Sequence, residues 1–219
     1  MFPPPLIKVH EVYARLNRLN VSKATHPNDI PIRLIKEFEL SSPLTKIYND
    51  CLRSGYFPLI WKNASVCPVP KVPNVIDFSQ LRPISVTTAF ARIFESFLAE
   101  WLTSDLGHRM DCSQFGNLKG SSINHYLVSL LDVIQRNLDK QGHYANLCAV
   151  DFMKAFGLIN HTLAIQKLIG SDVDTSVLPT VCSFLTHRSQ AVRYQGKTSS
   201  ALDLTSLKGQ SWVLSFFLP

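Results

Sequence analysis

Between Thr88 and Gly107 the sequence sets Phe90, Ile93, Phe94, Phe97, Leu98, Trp101 and Leu102 at helical spacing on one face. An apolar stripe so wide and so aromatic has to be covered by other elements, which commits the chain to a packed core. The means are present: 219 residues, 46% hydrophobic and 17% charged, are ordinary for a folded chain and exclude a largely disordered one.

The covering elements are legible in outline. Residues 7–20 place Val9, Val12, Tyr13, Leu16 and Leu19 on one helical face, and breaker-rich residues 21–30 read as a loop. Pro31 suits the first turn of a short helix. Ser42 reads as a cap for a helix with Leu44, Ile47, Tyr48, Cys51 and Leu52 inward, ended by Gly55. Residues 64–71 alternate as a strand, which Pro68 and Pro70 would confine to an edge or an early exit, and residues 72–81 are irregular. A second long helix is expected over 122–141, stopped by Gly142. The apolar run YANLCAVDF (144–152) reads as a strand buried on both faces. Asn160 caps a helix ending at Gly170, and residues 174–187 form another with Pro179 near its first turns. Residues 190–196 and 201–207 read as a hairpin with Gly196 in its turn region.

Charge and cysteines narrow the function classes. Twenty-two Lys and Arg against 16 Asp and Glu give +6. The surplus is spread along the chain, so it argues against a basic tail and allows a polyanionic partner. Cys51, Cys67, Cys112, Cys148 and Cys182 are odd in number with no C-x-x-C pair, which fits a reducing compartment without disulfide partners. No apolar run reaches a membrane span, and MFPPPLIKVH is unlike a signal peptide, so an intracellular place without a membrane is expected. Asp172 and Asp174 fit helix-start capping better than metal binding, and the seven histidines show no ligand spacing on a shared face. No G-x-S-x-G elbow supports hydrolase chemistry.

The most informative residue is Asp151. At the carboxyl end of an apolar strand, its carboxylate would emerge where ligands of α/β sheets bind, or it would merely cap the next turn. Six ordered segments decide the context: NVSKATHPNDIPIRLIKEF, CLRSGYFPLIWKNASVCPVPK, LRPISVTTAFARIFESF, QFGNLKGSSINH, VDFMKAFGLINH and CSFLTHRSQAVR. Along nearly its whole length the chain resembles the reverse transcriptase domain of non-LTR (LINE-type) retrotransposons.

That resemblance implies an α+β fold of the right-hand polymerase kind, helix-rich, with fingers and a small partial palm sheet. Residues 1–63 would lead into the fingers, 64–142 form them, and 143–219 supply part of the palm. It also implies Mg²⁺ or Mn²⁺, an RNA template, a DNA primer, deoxynucleotide triphosphates and action in the nucleus. Asp151 matches the family's first metal-binding carboxylate, and the carbonyl of Phe152 a ligand to the same ion. Hard divalent cations require such oxygen donors, and two of them neutralise charge during in-line phosphoryl transfer. Phe156 matches a steric gate against the 2′-hydroxyl, or is simply a core phenylalanine. Lys71 and Arg82 match triphosphate-gripping residues of the fingers, although a lone Lys or Arg is usually a solvated surface charge. Gln114, Lys119 and Gly120 match the segment near template and nucleotide, where the family often has a basic residue in place of Ser121. Arg188 and Arg193 flank the expected hairpin and would touch a duplex backbone or be solvated.

The chain also departs from the family pattern. Gly157 stands where an Asp usually follows AF, and Gln210 is followed by Ser211 without the Gly that normally accompanies the nucleotide-binding Gln. No Asp-Asp dipeptide occurs, so the Tyr-x-Asp-Asp hairpin is missing, and neither is a thumb expected. One carboxylate cannot hold two ions. The expected function is therefore a fragment of a retrotransposon RNA-directed DNA polymerase, inactive alone; the alternatives are a non-catalytic nucleic-acid-binding remnant and a product that does not fold stably.

Overall fold

The computed structural model describes residues 3–22, 26, 29–111, 113–116, 120–150 and 160–203. Helices α1 (Val9–Asn17), α2 (Ile32–Glu37) and α3 (Ser41–Ser54) lead into strands β1 (Asn63–Pro70) and β2 (Leu81–Val86). Helices α4 (Ala89–Leu106), α5 (Ile123–Leu138), α6 (His161–Ile169) and α7 (Leu178–Leu185) follow. Strands β3 (Ser189–Tyr194), β4 (Lys197–Thr198) and β5 (Leu202–Asp203) complete a helix-rich chain with one small mixed sheet, an arrangement compatible with the α+β class.

The long aromatic helix is where it was expected, and its start is explained locally. Thr88 Oγ1 accepts from the Ala91 backbone N–H, capping α4. Ile93, Phe94, Phe97 and Leu98 are buried, with Phe90, Trp101 and Leu102 packed at the margin. Phe94 lies fully buried between two rings, stacked on Tyr48 at 5.0 Å and Phe57 at 5.4 Å, and meets Trp61 edge-on at 6.1 Å. The Tyr48 hydroxyl donates to the Phe90 carbonyl at 2.9 Å, so even the polar tip of this cluster is satisfied. Burial pushes the Tyr48 phenol far above its ordinary range.

Helix α3 begins at Ser41, one residue ahead of the expected cap, and ends as anticipated at Gly55 with φ +63°. The Tyr56 N–H reaches the Cys51 carbonyl and the Gly55 N–H the Leu52 carbonyl, the two bonds of a Schellman motif. A Cβ on Gly55 would stand 2.6 Å from Pro179 Cβ, so glycine is required there twice, by conformation and by space. Helix α1 is narrower than its sequence stripe. Val12 and Leu16 are buried and Leu19 packs at the edge, but Val9 and Tyr13 are exposed. Ile7, buried just ahead of the helix, takes the remaining space, with its N–H and carbonyl both bonded to the Asn49 side chain at 2.9 Å.

Two strand expectations need correction. β1 is not an edge strand: it pairs antiparallel with β2 over 65–70 and parallel with β3 over 63–66. Its prolines are tolerated because both lie beyond the stretch paired on two sides. β2, which carries Pro83 at the sheet margin, was not expected at all. The run 144–150 forms no strand, and Tyr144, Leu147 and Val150 are exposed. Apolarity alone cannot make a buried strand without neighbours on both sides, and none of the described strands pairs with it. Helix α5, expected over 122–141, is capped by Ser122 and likewise buries no residue. The hairpin after α7 turns at Gln195–Gly196 and pairs β3 with β4; β5 continues the returning strand along the same flank of β3, opposite β1.

The main core runs from Ile7 to Leu185 and draws on α1, α2, α3, α4 and α7. Phe94→Ala, which removes the ring that three other aromatics contact, is expected to destabilise the fold by about 3–5 kcal/mol, as read by urea unfolding.

Candidate nucleic-acid interface

The β1–β2 hairpin holds two of the expected basic residues. Arg82 lies on β2 opposite Val69, exposed. Lys71 follows β1, and its backbone N–H donates to the Gln80 carbonyl at 2.8 Å. The Lys71 ammonium donates to the Ser79 carbonyl at 2.7 Å. Lys71 therefore braces the loop across which it sits, while two of its three N–H donors stay available.

Arg193 is exposed on β3, opposite Thr198. The parallel register ends with Val192 beside Val66, so Arg193, the next residue, points to the face that Cys67 shares with Ile84 opposite it. Residues in register share a face of a sheet, and positions two apart share it as well. Arg82 and Arg193 thus stand on one face, on either side of central strand β1, with aliphatic Val69 and Ile84 between and beside them. His26 lies near this face. Burial lowers its pKa; Asp29 opposes that, and Arg193 adds to the lowering.

Arg188 corrects the expectation of an exposed phosphate contact, because it is only 1% exposed. His187, in the left-handed region at φ 51°, turns the chain between α7 and β3, and the Arg188 side chain enters the interior. Its guanidinium donates to the Phe184 carbonyl at 3.0 Å and lies over the Phe184 ring at 4.3 Å. Burial lowers its pKa, while the buried carboxylate of Glu95 on α4 opposes the shift. Lys62 is buried nearby and donates to Ser183 Oγ at 3.3 Å; burial first, and Arg188 second, lower its pKa. The sequence offered no signal for this interior set of charges beyond the Glu within the apolar face of α4.

The other expected positions divide simply. Gln114 and Gly120 are exposed in the segment before α5, where Gln114 Nε2 donates to the Gly116 carbonyl at 3.0 Å and Gly120 takes φ +85°. Asp151, Phe152, Phe156, Lys119 and Gln210 lie outside the described residues, as does Gly157. Asp174 does accept from a nearby backbone N–H, that of Ser176, whereas Asp172 pairs with Arg109. Among the described residues, no group of three His, Cys, Asp or Glu is placed to hold a metal ion. Among them too, four cysteines are free thiols and no helix is long and apolar enough to cross a membrane.

Comparison with known proteins adds the class. No family model matches the chain. It is 25% identical over 167 residues to the probable RNA-directed DNA polymerase from transposon BS of Drosophila melanogaster, covering 74% of this chain and 18% of that protein. Over 161 residues it is 28% identical to the retrovirus-related Pol polyprotein from type-1 retrotransposable element R1 of Bradysia coprophila, covering 66% of this chain and 16% of the relative. Over 128 residues it is 27% identical to the corresponding R2 polyprotein of Popillia japonica, covering 57% and 17%. The chain is therefore similar, through more than half its length, to proteins of transposable elements that include an RNA-directed DNA polymerase. It spans less than a fifth of the length of each of these relatives.

Two measurements separate the interior charges from the surface ones. Arg188→Ala should destabilise the protein by about 3–5 kcal/mol, because it removes a buried cation whose charge and hydrogen bond are satisfied inside the protein, whereas Arg193→Ala should change stability by no more than about 0.5 kcal/mol. Thermal and urea unfolding of the two variants read the difference. His161 gives a pH signature. Its Nδ1–H donates to the Leu185 carbonyl at 3.1 Å, but burial, the largest influence, holds its pKa below the ordinary 6.5. The unfolded chain then takes up the proton first, so stability should fall as pH drops through 6.5 toward the folded value. His161→Asn should flatten that fall, measured as unfolding midpoints at about pH 7.5 and about pH 5.5.

Proposed function

We propose that this chain is a section of a retrotransposon reverse transcriptase, comprising fingers and the first part of the palm, that holds nucleic acid and nucleotide but does not polymerise by itself. The observation that carries the proposal is the similarity to transposon polymerase proteins over 128–167 residues. The shared sheet face of Arg82 and Arg193 supports it, since two guanidiniums on an exposed surface suit phosphate oxygens. In this reading the β1–β2 hairpin belongs to the fingers. Arg82, with Lys71 bracing its loop, grips the triphosphate, and Gln210 and Phe156 act on the nucleotide. Gln114, Lys119, Gly120 and Arg193 lie along the template and primer. Arg188 drops out of this set, because its buried guanidinium has no face to offer.

Asp151 and the Phe152 carbonyl are the residues that would hold a divalent cation. An oxygen-only pair is the donor chemistry that Mg²⁺ or Mn²⁺ accepts. When bound, such an ion stabilises charge on the transferred phosphoryl group. The donor set fits one ion in part and two ions not at all, because the sequence contains no Asp-Asp dipeptide to complete it. No nucleotidyl-transfer step follows from these residues alone; what they supply is binding, orientation and a single carboxylate.

Primer extension with the purified chain should show no incorporation above an Asp151→Ala control in Mg²⁺ or Mn²⁺. Binding of a primer-template should nevertheless weaken steeply as salt rises, and Arg193→Ala should reduce the slope of log K against log salt by about 1. Incorporation above the control would refute inactivity, and a flat salt response would refute the nucleic-acid grip.

A further inference from the structure

The loop joining β1 to β2 is fixed by its own bonds. Besides the two Lys71 contacts, Ser79 N–H donates to Asp77 Oδ1 at 2.7 Å, and Gln80 Oε1 accepts from the Ile76 and Asp77 N–H groups at 2.7 and 3.3 Å. Asp77 caps the short 3₁₀ turn Phe78–Gln80. This brace needs no help from the core, and its effect is to display two large apolar side chains: Ile76 is 91% exposed and Phe78 90%. No other large hydrophobic residue among those described is so open to solvent. A turn that served only to reverse the chain has no use for a phenyl ring held in water; an ordered, pre-set aromatic is what a contact residue requires.

The chemistry around the ring selects its partner. Asp77 sits between the two apolar residues, and its bonds to Ser79 hold its carboxyl below the ordinary carboxylate range, so it stays charged. Driving the tip into lipid or into a closed apolar pocket would carry that carboxylate along without water, at a prohibitive cost in solvation. Stacking on one flat face of the ring leaves Asp77 in solvent. The Lys71 ammonium, bonded to the carbonyl next to Phe78, and Arg82 four residues on both favour an anionic partner. A partner that presents flat π-faces at intervals along a string of negative charges is a single-stranded nucleic acid.

We infer that Phe78 is a base-stacking platform for single-stranded nucleic acid, with Ile76 packing beside the stacked nucleotide and Lys71 and Arg82 taking the adjacent phosphates. The inference rests on the nucleic-acid reading above and adds to it a residue that none of the expected grip positions includes.

The test uses the whole chain, a fluorescent oligothymidylate, and an abasic strand of the same length and charge at low salt. The native chain should bind the oligothymidylate more tightly than the abasic strand. Phe78→Ala should weaken oligothymidylate binding roughly 5- to 100-fold and leave abasic binding unchanged, and Phe78→Tyr, which keeps the ring, should restore the preference. Should Phe78→Ala retain the preference for bases, or should its only loss be adhesion to phosphatidylserine vesicles, stacking is overturned. Binding of both strands equally by the native chain overturns stacking but leaves the phosphate grip standing. Failure to bind either strand removes both, together with the reading on which they rest.

Discussion

Phe94 is the residue around which the helices and the start of the sheet agree on one geometry. It is met by rings from α3, from the turn after Tyr56 and from the 3₁₀ turn Leu59–Lys62 that precedes β1. Phe184 of α7 then joins through Phe57 at 5.0 Å. Aromatic pairs of this kind add to area burial a preference for angle and offset, so the cluster fixes orientation as well as compactness. Because β1 begins directly after Trp61 and Lys62, the position of the sheet follows from the packing of these rings. The exposed arginines are thereby placed by a core they do not touch.

Much of that core was legible because helical spacing and capping are local codes. The stripe of α4, the glycine stop of α3 and the Asn160 cap of α6 each depend on residues within a turn or two of one another. What escaped was decided at a distance. β2 carries a proline and little alternation, so only its partner reveals it as a strand. β1 becomes central because β3 arrives from more than a hundred residues away, a fact that no local pattern contains. The run 144–150 shows the reverse failure, a strand-like composition for which the described sheet provides no place.

The candidate interface was legible in composition more than in placement. Arg82 and Arg193 were expected as separate contacts, and only strand register puts them on one face. Arg188 looked like a third surface cation because sequence cannot distinguish an arginine before a strand from one folded back over a phenylalanine. Its burial beside Lys62 and Glu95 is a tertiary arrangement, balanced by opposite charge and a backbone carbonyl. Lys71 was expected to grip a ligand and spends one donor on holding its own loop.

The parallel pairing of β1 with β3 has a consequence for how the molecule comes into being. Ser189 and Asn63, joined by a 2.6 Å hydrogen bond, are 126 positions apart, so the ring of chain between them must close before these two strands can pair. On the ribosome the β1–β2 hairpin can zip up early from adjacent residues, whereas the third strand emerges only after more than a hundred further residues have been synthesised. During that interval one flank of β1 offers bare amides and carbonyls to any extended peptide nearby. Translation speed across the intervening helices thus sets how long the nascent sheet is vulnerable to sticking.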